Sequence, residues 1–360
     1  MPIITKNTDT TCQTTPLLSI VCPAYNQEAF VAQALDGFLS QQTRFSYEIL
    51  INDDASTDGT ARIIAQYAER HPTIIRAFYQ QVNQYSQGLP CVPDLFAKAR
   101  GRYIAYCEAD DYWTDPRKLQ LQVDFLESHP DYVITYHDAV AFDENGEYGV
   151  QLQGHLRADA TALELQQARR LSTLTTCFRN VFSTMPPELN IRVAPLNDMC
   201  WWSLLGAHGK GKFMADIKPA AYRLHAGGVF SMRSDKRKLH MNLQTCSSLA
   251  NYYNLQGNQA LYEYFLMQTV CLSLAALTPS HKLQTLWQVA SNVVVNVGRR
   301  LLPSTGKAHV QSCVGALRRQ HLPQPDGRRD DLSAPDGDKP CSHSDAYSVG
   351  GYCSVIGLAH

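Results

Sequence analysis

Glu108, Asp110 and Asp111 fall within four positions of one another in the stretch Arg102–Pro116, which reads RYIAYCEADDYWTDP. Three carboxylates this close repel one another and resist desolvation unless a cation sits among them, and a hard divalent ion with oxygen ligands is the simplest candidate. A metal and phosphate site is one reading of the stretch. An acidic turn that caps a helix is the other, because Asp115 followed by Pro116 has the form of an N-cap with proline at the first helical position. A second acidic pair, Asp53 and Asp54, stands in INDDASTDGT. Farther on, Asp198 precedes Trp201 and Trp202 in LNDMCWW. It is either a helix-dipole residue or a general base at the mouth of an acceptor pocket lined by the tryptophans. In YRLHAGGVFS, Tyr222, Arg223 and His225 precede Gly227 and Gly228. A lone histidine is ordinarily structural, but one beside an arginine and a glycine pair can reach phosphate.

These residues need elements to bring them together. Leu17–Cys22, Tyr47–Ile51, a run near Ile74–Tyr79 and Tyr103–Cys107 are short and apolar, as buried strands are. Between them, Phe30, Val31, Ala34, Leu35, Phe38 and Leu39 recur at helical spacing, Ile63, Ile64, Tyr67 and Ala68 mark a second helix, and 93–99 a third. The alternation predicts an α/β fold with a mainly parallel, doubly wound sheet. Both acidic pairs then lie at the C-terminal ends of strands, where open α/β sheets bind ligands. A nucleotide cleft accounts for them, one pair serving base or ribose and the other ribose and metal. The first turn, CPAYNQEAF, contains no glycine, so the GxGxxG fingerprint is absent, and GxxxxGK[ST] is missing as well. From Asp131 the pattern predicts a hairpin of YVITYHDAVAF and EYGVQLQG joined by Glu144, Asn145 and Gly146, a short helix near Thr161–Arg170, the helix opened by Asp198, and a strand near Phe213.

The chain has 360 residues, 44% of them hydrophobic and 18% charged, with a formal net charge of -1. That composition supports a sizeable core and gives no general electrostatic reason to expect a nucleic-acid partner. The eleven cysteines include no CxxC pair, which argues against a zinc ribbon or a disulfide framework and suits a reducing cytoplasm. The polar N-terminus lacks the apolar segment of a secretory signal, and no run of about 18 apolar residues suggests a membrane span.

Taken together, SIVCPAYNQEAF, ILINDDASTDGT, YIAYCEADDYWTDPRKL, LNDMCWW and YRLHAGGVFS resemble, in that order from Leu17 to Ser231, the motifs of the family 2 glycosyltransferases, inverting enzymes of the GT-A fold. The resemblance implies that Pro23, Ala24 and Tyr25 frame the nucleobase, that Asp54 hydrogen-bonds the uracil edge and that Asp53 supports the loop. It implies that Asp110 holds ribose or sugar hydroxyls and that Asp111 ligates Mn²⁺ or Mg²⁺ on the diphosphate, with His225 as a further metal or diphosphate ligand. Asp198 would take the proton from the acceptor hydroxyl, giving a single displacement with inversion. Two departures stand out. EADD replaces a strict DxD, leaving Glu108 or Asp111 as the nearer metal ligand, with Asp111 favoured, and Asn197-Asp198 replaces the usual Glu-Asp.

The expected organisation is a flexible N-terminus at 1–15, a GT-A domain at 16–235 with a nucleotide-binding half (16–130) and an acceptor half (131–235), a helical extension at 236–302 and a disordered tail at 303–360, rich in Pro, Gly, Ser, Asp and Arg. The apolar segment ending in Arg299 and Arg300 either packs against protein or lies on an anionic membrane surface. The resemblance implies transfer of a sugar from a UDP-sugar to a hydroxyl of a glycan or lipid-linked acceptor, in cell-surface polysaccharide synthesis (O-antigen, capsule or exopolysaccharide), in the cytoplasm or peripherally at the inner face of the cell membrane. The competing readings are a sugar-phosphate nucleotidyltransferase, which would need a basic, glycine-rich first loop, and a non-catalytic nucleotide-sugar-binding protein.

Overall fold

The computed structural model describes residues 15–89, 92–152, 154–182, 194–228 and 233–277. The expected N-terminal tail up to residue 14, the end of the YRLHAGGVFS motif, the 283–302 segment and the 303–360 tail lie outside the described residues.

Four strands, β1 (Leu18–Ala24), β2 (Tyr47–Asp53), β3 (Ile75–Tyr79) and β4 (Tyr103–Tyr106), alternate with helices α1 (Val31–Leu39), α2 (Thr60–Arg70) and α3 (Val92–Lys98). After α4 (Lys118–Ser128) come β5 (Tyr132–Tyr136), β6 (Ala139–Asp143), β7 (Gly146–Val150), α5 (Ala162–Gln166), β8 (Cys177–Arg179), α6 (Asn197–Leu205), β9 (Lys210–Phe213) and β10 (Ala220–Arg223). The main sheet has seven strands in the order β3-β2-β1-β4-β8-β5-β9, and only β8 runs antiparallel to its neighbours. The predicted mainly parallel α/β sheet is therefore present.

Alternate residues of the central strands feed two cores. Leu18, Ile20 and Cys22 of β1 join Leu35 and Phe38 of α1, Ile64 of α2 and Leu119 and Val123 of α4. Val21 and Ile104 point the other way, to Leu95 and Phe96 of α3 and Trp201, Trp202 and Leu205 of α6. A sheet covered on both faces has strands that read as continuous apolar runs, which is why these were recognisable.

Two sequence expectations are corrected here. YVITYHDAVAF is two strands, because the chain leaves the main sheet at His137 and Asp138. β5 stays in the main sheet, while β6 enters a small sheet of order β10-β6-β7 and makes the hairpin with β7. Asp115 does not cap the regular helix, which begins at Lys118 after an N-cap at Arg117. Its carboxylate accepts the Arg117 and Lys218 N–H groups (3.0 and 3.1 Å) and so fastens the entry turn to the segment before β10.

The C-terminal part is helical, α7 (Asp235–Leu255) and α8 (Gln259–Ala276). It does not separate as one extension. Residues 244–266 belong to the first unit, where Tyr253 Oη meets Ser203 Oγ at 2.8 Å and Thr245 Oγ1 accepts the Leu196 N–H at 3.1 Å. Residues 234–243 and 267–277 fall in a second unit, which holds the start of α7 and the end of α8. No helix among the described residues is long and apolar enough to cross a membrane.

Candidate active site

The parallel register places Ala24 beside Asp53 and Val21 beside Tyr106. The Ala109 N–H extends the β1–β4 pairing by donating to the Pro23 carbonyl (3.2 Å), and the Asp54 N–H donates to the Ala24 carbonyl (2.9 Å). Pro23–Tyr25, Asp53–Asp54 and Glu108–Asp111 thus share one sheet edge. Asn26 and Ala55, the residues just past the β1 and β2 ends, adopt left-handed backbone (φ 52° and 60°), costly for alanine and found where surrounding structure over-determines a site. Asn26 ties the two turns together, its Oδ1 accepting the Thr57 N–H and its own N–H donating to Ser56 Oγ (2.8 and 2.9 Å).

The three acids after β4 diverge. Asp110 Oδ2 lies 2.9 Å from His225 Nε2 and 3.4 Å from the Gln27 amide nitrogen. Asp111 is buried, and its Oδ1 accepts the backbone N–H of Arg223 (2.8 Å). Glu108 accepts from Thr173 Oγ1 (3.0 and 2.9 Å to its two oxygens). Burial, reinforced by the Asp110 and Glu108 charges, drives the Asp111 carboxyl far above the usual range, against a smaller opposing effect of Arg223. Burial and the charge of Asp110 push Glu108 up to about 8, with the charge of Asp198 adding to the effect and the Thr173 hydrogen bond opposing it.

Arg223 staples this arrangement. Its guanidinium lies 4.5 Å from the Phe30 ring centre and 4.6 Å from that of Phe142, while Nε donates to the Asp110 carbonyl (2.9 Å) and Nη2 to Gln33 Oε1 (2.6 Å). It is occupied in positioning the acidic turn. Asp110 faces the imidazole, because the β10 backbone takes Asp111.

The β2 acids take different partners. Both Asp54 oxygens accept backbone N–H groups, from Gln84 (2.8 Å) and Tyr85 (3.0 Å), so Asp54 supports the loop after β3. Asp53 Oδ2 accepts the Ser56 N–H (3.2 Å), but its buried Oδ1 has no partner. Gln27 Oε1 and Asn52 Nδ2 are likewise buried without partners. Buried polar atoms are paired in the great majority of cases, and His137, Asp138, Arg169, Asn180 and Trp202 hold such orphans as well; the Asp53 and Gln27 oxygens are the ones a polar ligand at this edge could satisfy. Tyr25 is 45% exposed at the same edge.

Asp198 sits in the first turn of α6. Burial raises its carboxyl above the ordinary range, its own and the Met199 backbone N–H groups oppose this, and Arg170 adds a weaker opposing charge. The tryptophans that follow are buried. Trp201 and Trp202 are 4% and 0% exposed in the core, where Trp201 packs against Phe96 and Tyr106. Gln27, Asn52 and Thr173 did not stand out in the sequence. The polar pair Asn26-Gln27 at a strand end was the one available signal.

The metal expectation can be tested on the donor set. Among the described residues, no three His, Cys, Asp or Glu side chains converge as a ligand set. Asp110 and His225 supply one carboxylate and one imidazole beside the orphan Gln27 oxygen. Mg²⁺-type sites use one or two carboxylates and take their remaining ligands from substrate phosphates and water, and imidazole suits transition ions. The residues fit such an ion.

Comparison with known proteins bears on the family of the domain. Residues 19–185 match the model "Glycosyl transferase family 2". An uncharacterized protein of Mycobacterium tuberculosis is 36% identical over 225 residues, 61% of this chain and 63% of its own length, so the chain spans less than two thirds of that relative. A putative glycosyltransferase of Bacillus subtilis, EpsE, is 34% identical over 38% of this chain and 48% of its own. Among solved structures, S. aureus TarS 1-349 in complex with UDP-GlcNAc aligns at 15% identity and a TM-score of 0.47, covering 84% of this chain and 91% of that one. The mainly parallel α/β domain is of the GT-A type, and its residues 19–185 form a glycosyl transferase family 2 domain.

Proposed function

We propose that the protein transfers a sugar from a nucleoside diphosphate sugar, a UDP-sugar by preference, to a hydroxyl of a glycan or lipid-linked acceptor, with inversion, in the assembly of a surface polysaccharide. The observation that carries this is the meeting of Asp110 and His225 at the edge where Asp53 keeps an unsatisfied oxygen, within a family 2 domain.

Asp53 accepts an N–H of the base, Asp54 keeps the 84–85 loop beside it, and Tyr25 offers an exposed ring to the nucleoside. Asp110 and His225 hold the divalent ion, Mn²⁺ or Mg²⁺, and Asp111 fixes the backbone that carries them. When bound, the ion neutralises charge on the departing diphosphate. Asp198 accepts the acceptor's proton. Its raised pKa makes it a stronger base than an exposed aspartate and moves the acidic limb of activity upward.

The test is UDP release from a panel of UDP-sugars with Mn²⁺ or Mg²⁺, wild type beside Asp198→Asn. The account expects release from at least one donor and a loss of about 10² to 10⁴-fold in the variant, the usual weight of a general base. Equal rates in the two proteins would remove Asp198 from the chemistry.

A further inference from the structure

Three consecutive backbone carbonyls ahead of β8 are each taken by a side chain from the segment after the acidic turn. Trp113 Nε1 donates to Leu174 (2.8 Å), Gln122 Nε2 to Thr175 (2.9 Å) and Lys118 Nζ to Thr176 (3.5 Å). Lys118 Nζ also donates to Gln122 Oε1 (2.7 Å) and stands 4.2 Å above the Trp113 ring. Lys118 is 1% exposed. Burying an ammonium costs several kcal/mol, a heavy outlay for fastening a turn that β8 pairing could anchor alone.

Next to the clamped carbonyls stands Thr173, whose hydroxyl meets both Glu108 oxygens. Ser172 secures the other flank by donating to Gln151 Oε1 (2.8 Å). Gln27 and His225 engage Asp110, whereas the partner of Glu108 comes from the strap that begins at the end of α5. That helix is locked on α6 through Gln166, whose carbonyl accepts Ser203 Oγ (2.5 Å) and whose amide donates to the Gly206 carbonyl (2.9 Å). α6 carries Asp198, and the charge of Asp198 bears on Glu108. Glu108 is therefore tied through Thr173 to the strap that leaves α5, and α5 is fastened to the helix that carries the proposed base.

We propose that Thr173, held by the Trp113–Gln122–Lys118 clamp, is a positioning residue that keeps Glu108 on the acceptor side of the acidic edge, where Glu108 orients the attacking hydroxyl and does not hold the diphosphate. The inference rests on the transferase reading above. The three acids then have separate roles, Asp110 serving the donor, Asp111 the backbone and Glu108 the acceptor.

Thr173→Val removes the hydroxyl at nearly constant volume, and Thr173→Ser restores it. With the full chain, Mn²⁺ and UDP-GlcNAc or UDP-glucose, water serves as acceptor and UDP release is the readout. Calorimetric titration with UDP and Mn²⁺ measures the donor side, and the thermal midpoint checks the fold. The expected result for Thr173→Val is a kcat lowered about tenfold or more, a donor KM and a UDP affinity within about twofold of wild type, and recovery in Thr173→Ser. Unchanged turnover in Thr173→Val, a loss of UDP–Mn²⁺ affinity matching the loss of turnover, or failure of Thr173→Ser to recover would each overturn the assignment. Failure of the wild-type chain to bind UDP with Mn²⁺ would instead overturn the transferase reading itself.

Discussion

His225 Nε2 and Asp110 Oδ2 stand 2.9 Å apart although 115 positions separate them in the chain. β10 makes the meeting possible, since Arg223 gives its backbone N–H to Asp111 and its guanidinium to the Asp110 carbonyl. Neighbouring aspartates therefore act differently, and substitution separates them. His225→Ala is expected to weaken Mn²⁺-dependent UDP binding by at least tenfold with little change in thermal midpoint, as for loss of a ligand. Asp111→Ala leaves the Arg223 N–H buried and unpaired, which costs about 1–3 kcal/mol. Thermal unfolding beside UDP titration checks both, and the reverse pattern would return the metal to Asp111.

The β2 acids offer a parallel contrast. Asp54→Ala releases the Gln84 and Tyr85 amides, and hydrogen exchange there is expected to rise sharply while β2 itself stays protected. Asp53→Asn keeps the loop but spoils the acceptor left open at Oδ1, so UDP affinity falls without a change in exchange. Loss of UDP binding in Asp53→Asn accompanied by melting of the 83–87 loop would refute the assignment.

Much of this was legible in the sequence and some of it was not, for physical reasons. The β1–β4 alternation showed in the residues because a doubly covered parallel sheet demands continuous apolar strands. The acidic edge followed from that register. Which acid faces which partner depended on contacts with β10, over a hundred residues away, and local spacing cannot carry that information. The same limit explains Trp201 and Trp202, which read as pocket walls yet fill the core beside Phe96 and Tyr106. The break at His137 and Asp138 was hidden because β5 and β6 are both apolar and differ only in the sheet they join.

Lys118 carries a pH signature. Burial lowers its ammonium from 10.5 to about 8, so between those values the unfolded chain binds more protons than the folded one. Unfolding free energy should therefore rise with pH from about 8 to 10.5, by about 3 kcal/mol at most for a shift of this size. Chemical denaturation of wild type and Lys118→Met across that window checks it. The difference between the two curves is expected to narrow as pH rises, and a constant difference would contradict a depressed lysine.

Glu48 acts in the opposite direction at the other end of the sheet. It is 1% exposed and accepts from Ser19, Arg76 and Arg100. Burial pushes its carboxyl up, and the hydrogen bonds from Arg100, Arg76 and Ser19 outweigh that to hold it below the ordinary value. Its contribution is complete above the usual glutamate range and is lost as pH falls through the lowered folded value. Because the arginines are partly solvated, Glu48→Gln is expected to cost about 2–3 kcal/mol at neutral pH and less under acid, as measured by urea unfolding at the two pH values.

The central claim is that the Asp110–His225 edge binds a nucleoside diphosphate together with a divalent ion, and calorimetric titration with UDP tests it most directly. Wild type should bind UDP in the presence of Mn²⁺, lose most of that affinity in EDTA, and lose it equally in Asp110→Ala with Mn²⁺ present. UDP binding indifferent to both EDTA and Asp110→Ala, or no binding to the wild-type chain under any of these conditions, would contradict the account.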